Sequence, residues 1–322
     1  MKNKGDRTDR ITVITPAFNE EKNISSLYHG VRSILSREDI DYELIIIDDH
    51  SEDFTFAEIC KLSENDARVH GFRLSRNSGS HKAILCGLGR ASGDCAVVMA
   101  ADLQDDPELI LKLYEEWKKG AQVVWAVRNA ERGKTSIGRS SRIYYWMMRR
   151  VFGASEMPET GADFFLLDRR VIDTLKKYPE SNSSVIGLIM WMGFRQSHVY
   201  YEKQPRKAGR SGWTLSKKIK LLLDSITSFS YMPIRVMSAA GFIVAGMGFL
   251  YSMVVVVNAI LGKPIQGWSS LMMVILIVGG LQILMLGVLG EYLWRALDES
   301  RRRPLYMIEA DTDSINFPEK DR

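Results

Sequence analysis

The sequence predicts an α/β domain with a mostly parallel sheet, followed by an amphipathic interface helix and two transmembrane helices. Short β-branched or apolar runs alternate with helical stretches over the first 128 residues, an order that favours a parallel sheet with helices on both faces. Charges of both signs are dense up to about residue 230, whereas residues 236–262 and 264–290 contain none. Each of these runs exceeds the roughly 20 residues that a helix needs to cross a bilayer.

Five runs are the predicted strands of the first domain: ITVITPAF, YELIIIDD, VHGFRLS, DCAVVMAAD and AQVVWAVR. Helical stretches such as EKNISSLYHGVRSILSRE and SHKAILCGLGRAS separate them. Ligands of parallel sheets bind at the carboxyl edge, where the strands end. We therefore expect the polar residues that follow these strands to form the functional site.

The segment before the first apolar run predicts a helix at the membrane surface. Leu215, Ile219 and Leu222 share a helical spacing, and lysines cluster on the other side. Such a helix suits the headgroup layer, although a solvated helix packed on the first domain is compatible with the same pattern. The predicted divisions are residues 1–212, 213–233 for the amphipathic segment, 234–294 for the transmembrane hairpin and 295–322 for a C-terminal tail.

The charges that flank the hairpin predict its orientation. Only Lys263 separates the two apolar runs, whereas basic residues lie on both outer sides: Lys217, Lys218, Lys220, Arg235, Arg295, Arg301, Arg302 and Arg303. Segments rich in Lys and Arg beside a membrane-spanning helix remain in the cytoplasm, so the first domain and both termini are expected there. The N-terminal MKNKGDRTDR has no apolar core and predicts no signal peptide.

Composition narrows the possible functions. The net charge of +4 does not indicate a nucleic-acid partner. Three cysteines without CxxC spacing predict reduced thiols, and five scattered histidines lack metal-ligand spacing.

Two strand ends carry acidic groups. In ITPAFNEEKNI, Asn19 is expected to cap the next helix, with acids in its first turn. YELIIIDDHSEDFT ends the second strand in Asp48 and Asp49. Two adjacent carboxylates exceed what capping requires, which favours a contact to a ribose or a base.

The third strand leads into LSRNSGSHKA, in which Ser78, Gly79 and Ser80 precede a helix. Small residues let backbone N–H groups approach a phosphate, and Lys82 could add positive charge. The Walker pattern GxxxxGK[ST] is absent, so a P-loop is not predicted.

The fourth strand ends in VVMAADLQDDPE. Asp102 and Gln104 provide hard oxygen donors, which can hold Mg²⁺ or Mn²⁺ against a diphosphate. Asp105 and Asp106 are expected instead to cap the helix that follows Pro107.

Taken in order, these motifs resemble glycosyltransferase family 2, and more narrowly the bactoprenol glucosyltransferases and dolichol-phosphate mannose synthases. The resemblance covers nearly the whole chain through TPAFNEEKNI, IDDHSEDFT, RNSGSHKA, ADLQDDPE, TGADFFLLDRR, RKAGRSGW, SFSYMPIRV and GEYLWRALDESRRRPLY. The two-span C-terminus is most similar to bactoprenol glucosyltransferases. The resemblance implies a GT-A (Rossmann-like) fold in the inner (cytoplasmic) membrane that binds a nucleotide-sugar at the sheet's carboxyl edge.

Site residues follow from the resemblance by position. Uridine would contact Pro16, Phe18, Glu20 and Asp49, and the divalent metal would bind Asp102 and Gln104. Asp163 in TGADFFLLDRR matches a family acid, with a turn-forming Asp before a strand as the alternative. The residues expected to receive the lipid phosphate are Arg128, Arg142, Arg206, Arg210 and Ser211, the last three in the basic loop RKAGRSGW. The residues expected to act in catalysis are Asp102, Asp163 and Arg206.

The implied activity is inverting transfer of a sugar, expected to be glucose, from a UDP-sugar to undecaprenyl phosphate. Transfer from GDP-mannose is one alternative. Another is an impaired UDP-sugar-binding scaffold, because Ala100 replaces a common family acid and Phe165 a common arginine. A processive polysaccharide synthase is disfavoured, because QxxRW and further spans are absent. Expected partners are the nucleotide-sugar, the polyprenyl phosphate and membrane lipid, with no nucleic acid. Glycines in the apolar runs would also permit a homo-oligomer.

Overall fold

A computed structural model of the chain describes residues 9–128, 164–178, 180, 184–202, 232–261 and 267–314. The chain divides into two compact units, one of Met1–Leu221 with Pro304–Arg322 and one of Leu222–Arg303. The strands in the described residues are β1 (Arg10–Ala17), β2 (Asp41–Asp48), β3 (Val69–Leu74), β4 (Cys95–Val98), β5 (Val123–Arg128), β6 (Phe165–Asp168), β7 (Gln196–Tyr201) and β8 (Ile308–Asp311). The helices are α1 (Glu21–Arg37), α2 (Thr55–Asn65), α3 (Ser80–Arg90), α4 (Leu109–Lys118), α5 (Arg169–Leu175), α6 (Val185–Trp191), α7 (Met232–Ile260) and α8 (Trp268–Ser300).

The described strands of the first unit form one sheet in the order β7-β5-β6-β4-β1-β2-β3-β8. Strands β1 to β4 are mutually parallel, and β5 is parallel to β7. Among these strands, β6 and β8 are the two that run antiparallel to their neighbours. The five strands expected from the apolar runs correspond to β1 through β5, so the predicted mostly parallel α/β sheet is confirmed.

Both faces of the central strands are covered, which explains why their sequences are apolar without alternation. One core joins alternate residues such as Ile11 and Val13 of β1 to side chains of α1, α2 and α4. On the other face α3 packs closely on β1, where a Cβ at Gly87 would overlap the side chain of Ile14. Glycine at this position therefore permits the close approach of helix and strand.

The strand order reverses beside β1. The chain proceeds from β1 to β2 and β3 on one side, then returns to place β4 on the other side of β1. The β1–β4 ladder ends at the Ile14–Val98 pair, whereas β1 stays paired with β2 as far as Ala17. Beyond the carboxyl ends of two strands that diverge in this way, a crevice forms that commonly binds ligands.

The segment after the second apolar helix contributes a strand that the sequence patterns did not predict. Strand β8 pairs antiparallel with β3, and the N–H of Ser75 donates to the carbonyl of Met307 at 2.9 Å. The N–H of Thr312 donates to the carbonyl of Gly71, also at 2.9 Å. Residues of the predicted C-terminal tail therefore belong to the edge of the sheet.

The second unit contains the two long helices α7 and α8. Their segments Ile234–Asn258 and Leu271–Ser300 are long and apolar enough to cross a membrane, and their side chains are not buried by protein. The expectation of two such helices is confirmed. Of the interface segment expected over residues 213–233, all but the last two residues lie outside the described residues.

Candidate active site

The loop after β1 places an aromatic ring and a carboxylate at the crevice. Pro16 is half-buried near the end of β1, beyond the last pair of the β1–β4 ladder, and Phe18 is 42% exposed. Asn19 has a left-handed backbone with φ 56°, which asparagine tolerates better than most residues. The backbone N–H of Glu20 donates to Oγ1 of Thr55 at 2.9 Å, so this loop is fixed against the start of α2.

The expected capping role of Asn19 is wrong. Helix α1 begins at Glu21, and its N-cap residue is Glu20. Instead Oδ1 of Asn19 accepts a 2.9 Å hydrogen bond from the N–H of Glu52, and the N–H of Asn19 donates to Oγ of Ser51 at 2.9 Å. Asn19 thus joins the loops after β1 and β2.

The two acids at the end of β2 have different partners. Asp48 is fully buried, and its Oδ1 accepts a 2.9 Å hydrogen bond from the N–H of Ser51. Asp49, also buried, accepts from the N–H groups of Ser78 at 2.7 Å and Gly79 at 2.8 Å, one on each carboxylate oxygen. Burial raises the pKa of Asp49, the two N–H donors oppose that rise, and the charge of Asp48 adds to it.

The loop before α3 is therefore anchored to β2. The N–H groups of Ser78 and Gly79, which we expected to approach a phosphate, donate to Asp49 instead. Gly79 adopts φ 89°, a conformation that a side chain would disfavour. Lys82 lies half-buried in the first turn of α3, next to this loop in the sequence.

The loop after β4 carries the expected metal ligands. Asp102 is buried, and its Oδ1 accepts a 3.2 Å hydrogen bond from the N–H of Gln104. Leu103 between them has φ 55°, a left-handed conformation that bends the chain sharply here. Ala100 and Gln104 are partly exposed.

The expected capping by Asp105 is wrong. Helix α4 begins at Leu109. Asp105 is buried, and its Oδ1 accepts a 2.6 Å hydrogen bond from the hydroxyl of Tyr201. Asp106 does bind backbone near the helix start, because its Oδ1 accepts from the N–H of Glu108 at 3.0 Å. The sequence could not distinguish these acids, since the partner of Asp105 lies 96 residues away.

The donor set fits a metal ion that shares its coordination with a diphosphate. No three His, Cys, Asp or Glu side chains are grouped around a possible ion within the described part of the chain. Asp102 would supply one carboxylate and Gln104 one amide oxygen. Mg²⁺ commonly binds through one or two carboxylates, with the remaining positions filled by phosphate oxygens and water.

Several expected site residues fall outside the described residues: Asp163, Arg142, Arg206, Arg210 and Ser211. Arg128 is the last residue of β5, where only its backbone is described. Phe165 is buried in β6, and its ring lies 5.4 Å from that of Trp125. The phenylalanine is therefore a core residue.

Arg73 supports the site, although the sequence patterns did not predict it. Its Nη1 lies 3.4 Å from Oδ2 of the buried Asp48, and its Nη2 donates to the carbonyl of Ser51 at 3.1 Å. The sequence did contain one indication of this role. An arginine lies inside the short predicted strand VHGFRL, and the preceding predicted strand YELIIIDD ends in two acids. Because the partners depend on the β2–β3 register, the pattern alone did not identify them.

Comparisons with known proteins identify the family of the chain. The sequence profile of glycosyl transferase family 2 matches residues 12–176. The uncharacterised glycosyltransferase YkcC of Bacillus subtilis is 38% identical over 92% of this chain and 93% of its own. A bactoprenol glucosyl transferase of Shigella phage SfV is 35% identical over 93% of this chain and 98% of its own.

Solved structures support the fold. Mannosyl-3-phosphoglycerate synthase of Rubrobacter xylanophilus superposes with a TM-score of 0.50 at 14% identity, over 67% of this chain and 71% of its own. The GT-A fold expected from the sequence is confirmed. With a family profile over half of its length and relatives above 30% identity along nearly all of it, the chain belongs to glycosyl transferase family 2 and is a glycosyltransferase.

Proposed function

We propose that this glycosyltransferase moves glucose from UDP-glucose to undecaprenyl phosphate with inversion at the anomeric carbon. The observation that carries the proposal is the similarity to bactoprenol glucosyl transferases, which extends over 93% of the chain and so includes both apolar helices. A soluble acceptor would not require those helices, whereas a polyprenyl phosphate is confined to the membrane.

The loops around the crevice suit a nucleotide-sugar. Phe18 presents an exposed ring on which a base can stack, and Glu20 lies at the start of α1. The carboxylate oxygens of Asp49 have further lone pairs that could accept from the uracil or ribose. Pro16 would support this surface, and Lys82 would add positive charge near the diphosphate.

Asp102 and Gln104 would hold Mg²⁺ or Mn²⁺ on the diphosphate. Such an ion, when bound, stabilises the negative charge of the departing UDP. The carboxylate of Asp102 is already oriented by the N–H of Gln104, which reduces the reorganisation needed on binding.

The acceptor needs little chemical activation. A phosphate monoester has a second pKa near 6, so it is mostly dianionic at pH 7 and already nucleophilic. The main task is to align two anions and to exclude water. We assign reception of the lipid phosphate to Arg128, Arg142, Arg206, Arg210 and Ser211, and orientation of the sugar to Asp163.

Charge placement around the apolar helices supports a cytoplasmic active site. Basic residues flank the hairpin on its outer sides, and only Lys263 lies between the two runs. Under the positive-inside rule the outer ends of both apolar helices face the cytoplasm. The first domain directly precedes the first helix, so it would lie in the cytoplasm as well.

The whole chain in vesicles that contain undecaprenyl phosphate tests the proposal. Each of UDP-glucose, other UDP-sugars and GDP-mannose is supplied separately, and the glycolipid is identified by mass spectrometry. The expected product is glucosyl phosphoryl undecaprenol of inverted anomeric configuration, formed with UDP-glucose and abolished by EDTA. Asp102→Asn should lose most turnover, and Asp106→Asn is the matched control from the same loop.

Other outcomes would contradict parts of the proposal. If GDP-mannose were the only donor that gave a product, the donor would be GDP-mannose instead of UDP-glucose. Binding of UDP-glucose without any glycolipid, under conditions in which a known bactoprenol glucosyl transferase is active, would favour a scaffold. Full turnover in Asp102→Asn would remove Asp102 from the site.

A further inference from the structure

A chain of polar contacts connects β8 to the loops at the crevice. It begins at Glu309, the second residue of β8, whose Oε2 lies 3.3 Å from Nε of Arg73 on β3. The same carboxylate oxygen lies 3.4 Å from Nδ1 of His50, the residue that follows Asp49. Glu309 therefore contacts side chains from both neighbouring strand ends.

Arg73 is the centre of this chain. Its guanidinium contacts three groups: Glu309 through Nε, Asp48 through Nη1 at 3.4 Å, and the carbonyl of Ser51 through Nη2 at 3.1 Å. The ring of Phe56 lies under the guanidinium, 5.8 Å away. A planar fork with several fixed donors can make these contacts at once, which an ammonium group cannot.

Asp48 connects Arg73 to the loop after β1. Its Oδ2 has no hydrogen bond within the described residues, so the nearby guanidinium of Arg73 is the positive charge that compensates this buried carboxylate. Its Oδ1 accepts from the N–H of Ser51, whose Oγ accepts from the N–H of Asn19 at 2.9 Å. Asn19 lies between Phe18 and Glu20, the residues that we assign to the nucleotide.

We propose that Arg73 and Glu309 are positioning residues for nucleotide-sugar binding, and that the strand after the second apolar helix thereby holds the donor site in its binding conformation. The inference rests on the proposed function of the loops after β1 and β2. Neither side chain needs to touch the substrate. Their effect is to fix Asp48 and Ser51, and through them the backbone of Asn19.

The decisive variant is Glu309→Gln, because Glu309 is half exposed and its loss should leave the core intact. We expect the KM for UDP-glucose and the Kd for UDP to rise about fivefold, with kcat changed by less than about twofold, since an exposed ion pair is modest in strength. Arg73→Met should raise both constants by about tenfold or more, because it leaves Asp48 uncompensated. Arg73→Lys, which keeps the charge, should fall between the wild type and Arg73→Met.

Asp313→Asn is the matched control. It removes one carboxylate from the same C-terminal segment. Asp313 pairs with His70 at 2.9 Å and is not part of the contacts around Arg73. Its KM and Kd should equal those of the wild type. Unchanged constants in Glu309→Gln, an equal change in Asp313→Asn, or a fall in kcat alone would overturn the inference.

Hydrogen–deuterium exchange separates this inference from the proposed function. In Glu309→Gln the amides of residues 18–20 and 50–53 should exchange faster than in the wild type, without any ligand present. Faster exchange in a protein that transfers no sugar would refute the proposed function and retain the structural link. Unchanged exchange would refute the link, whatever the enzyme's substrates.

Discussion

The hydroxyl of Tyr201, at the end of β7, donates a 2.6 Å hydrogen bond to Oδ1 of Asp105 in the loop after β4. Both residues are buried, so the bond joins the loop between β4 and α4, here called the acidic loop (residues 99–108), to a residue 96 positions later in the chain. The basic loop RKAGRSGW follows β7 closely in the sequence. The loop that we assign to the diphosphate is therefore bonded to the strand that leads into the segment assigned to the lipid phosphate.

Replacing Tyr201 with Phe should weaken the acidic loop. The change leaves a buried carboxylate without this donor, at an expected cost of about 1–3 kcal/mol in the free energy of unfolding. Turnover should fall with stability, because Asp102 and Gln104 lie in the same loop. Denaturant unfolding and steady-state rates measure both effects, and Tyr200→Phe, whose side chain is exposed, serves as the control. Equal stability of the Tyr201→Phe protein and the wild type would contradict the expectation.

Asp49→Asn should loosen the loop before α3. An asparagine can accept from only one of the two N–H groups that Asp49 now binds, so Ser78 or Gly79 loses its acceptor. We expect an increase of about tenfold in the KM for the nucleotide-sugar, which corresponds to about 1.4 kcal/mol. Steady-state kinetics measure it, with the exposed Asp41→Asn as a charge-matched control. A normal KM together with normal amide protection at residues 78 and 79 would show that Asp49 does not organise this loop.

Ala100→Asp should strengthen metal binding. Ala100 is partly exposed and precedes Asp102 by two residues, where the resemblance described above leads us to expect an acid. A second carboxylate at the ion would increase its electrostatic attraction, and we expect about tenfold tighter Mn²⁺ binding in the presence of UDP. Electron paramagnetic resonance titration of Mn²⁺ provides the measurement. Unchanged affinity would mean that position 100 does not face the ion.

Glu43 should make the stability of the first unit depend on pH. Burial alone would raise its pKa, but hydrogen bonds from Thr12 and Ser92 and the charge of Arg10 outweigh burial and lower it. A lowered pKa in the folded state stabilises the fold above the unfolded pKa of about 4.3, and this contribution disappears as pH falls through the folded value.

Glu43→Gln tests that dependence. At pH 7 the variant should be less stable than the wild type by about 1–3 kcal/mol, and the difference should shrink as the pH approaches about 3. Urea unfolding of the detergent-solubilised protein at several pH values measures it, with the exposed Glu38→Gln as control. A difference that stays constant from pH 7 to 3 would show that the ionisation of Glu43 does not make stability depend on pH.

The sequence was sufficient for the parts of the fold that local patterns determine. Strands β1 to β5 are apolar runs bounded by polar loops, and the β–α alternation implied the parallel pairing of β1 to β4. It did not predict β6, which lies antiparallel between β4 and β5. The position of Asp102 at the crevice follows from the same pattern, because β4 ends at Val98 and the acidic loop comes directly after it.

Other features depend on contacts between distant residues. Strand β8 has only four residues, IEAD, and the contact between its Glu309 and Arg73 of β3 spans 236 positions of the chain. Asn19 resembled a helix cap, but its φ is 56° and its side chain accepts a hydrogen bond from Glu52, 33 residues later in the chain. Asp105 resembled its neighbour Asp106 until the register of β7 placed Tyr201 beside it.

The return of β8 makes the first unit discontinuous in sequence. The apolar helices α7 and α8 are an insertion between two stretches of the same folded unit. A protein truncated before α7 would keep every loop at the crevice and yet lose the strand that covers the edge of β3. Unpaired edge strands invite intermolecular pairing, so such a protein should tend to aggregate. A soluble form of the enzyme would need residues 304–314 reconnected to the first stretch by a flexible linker.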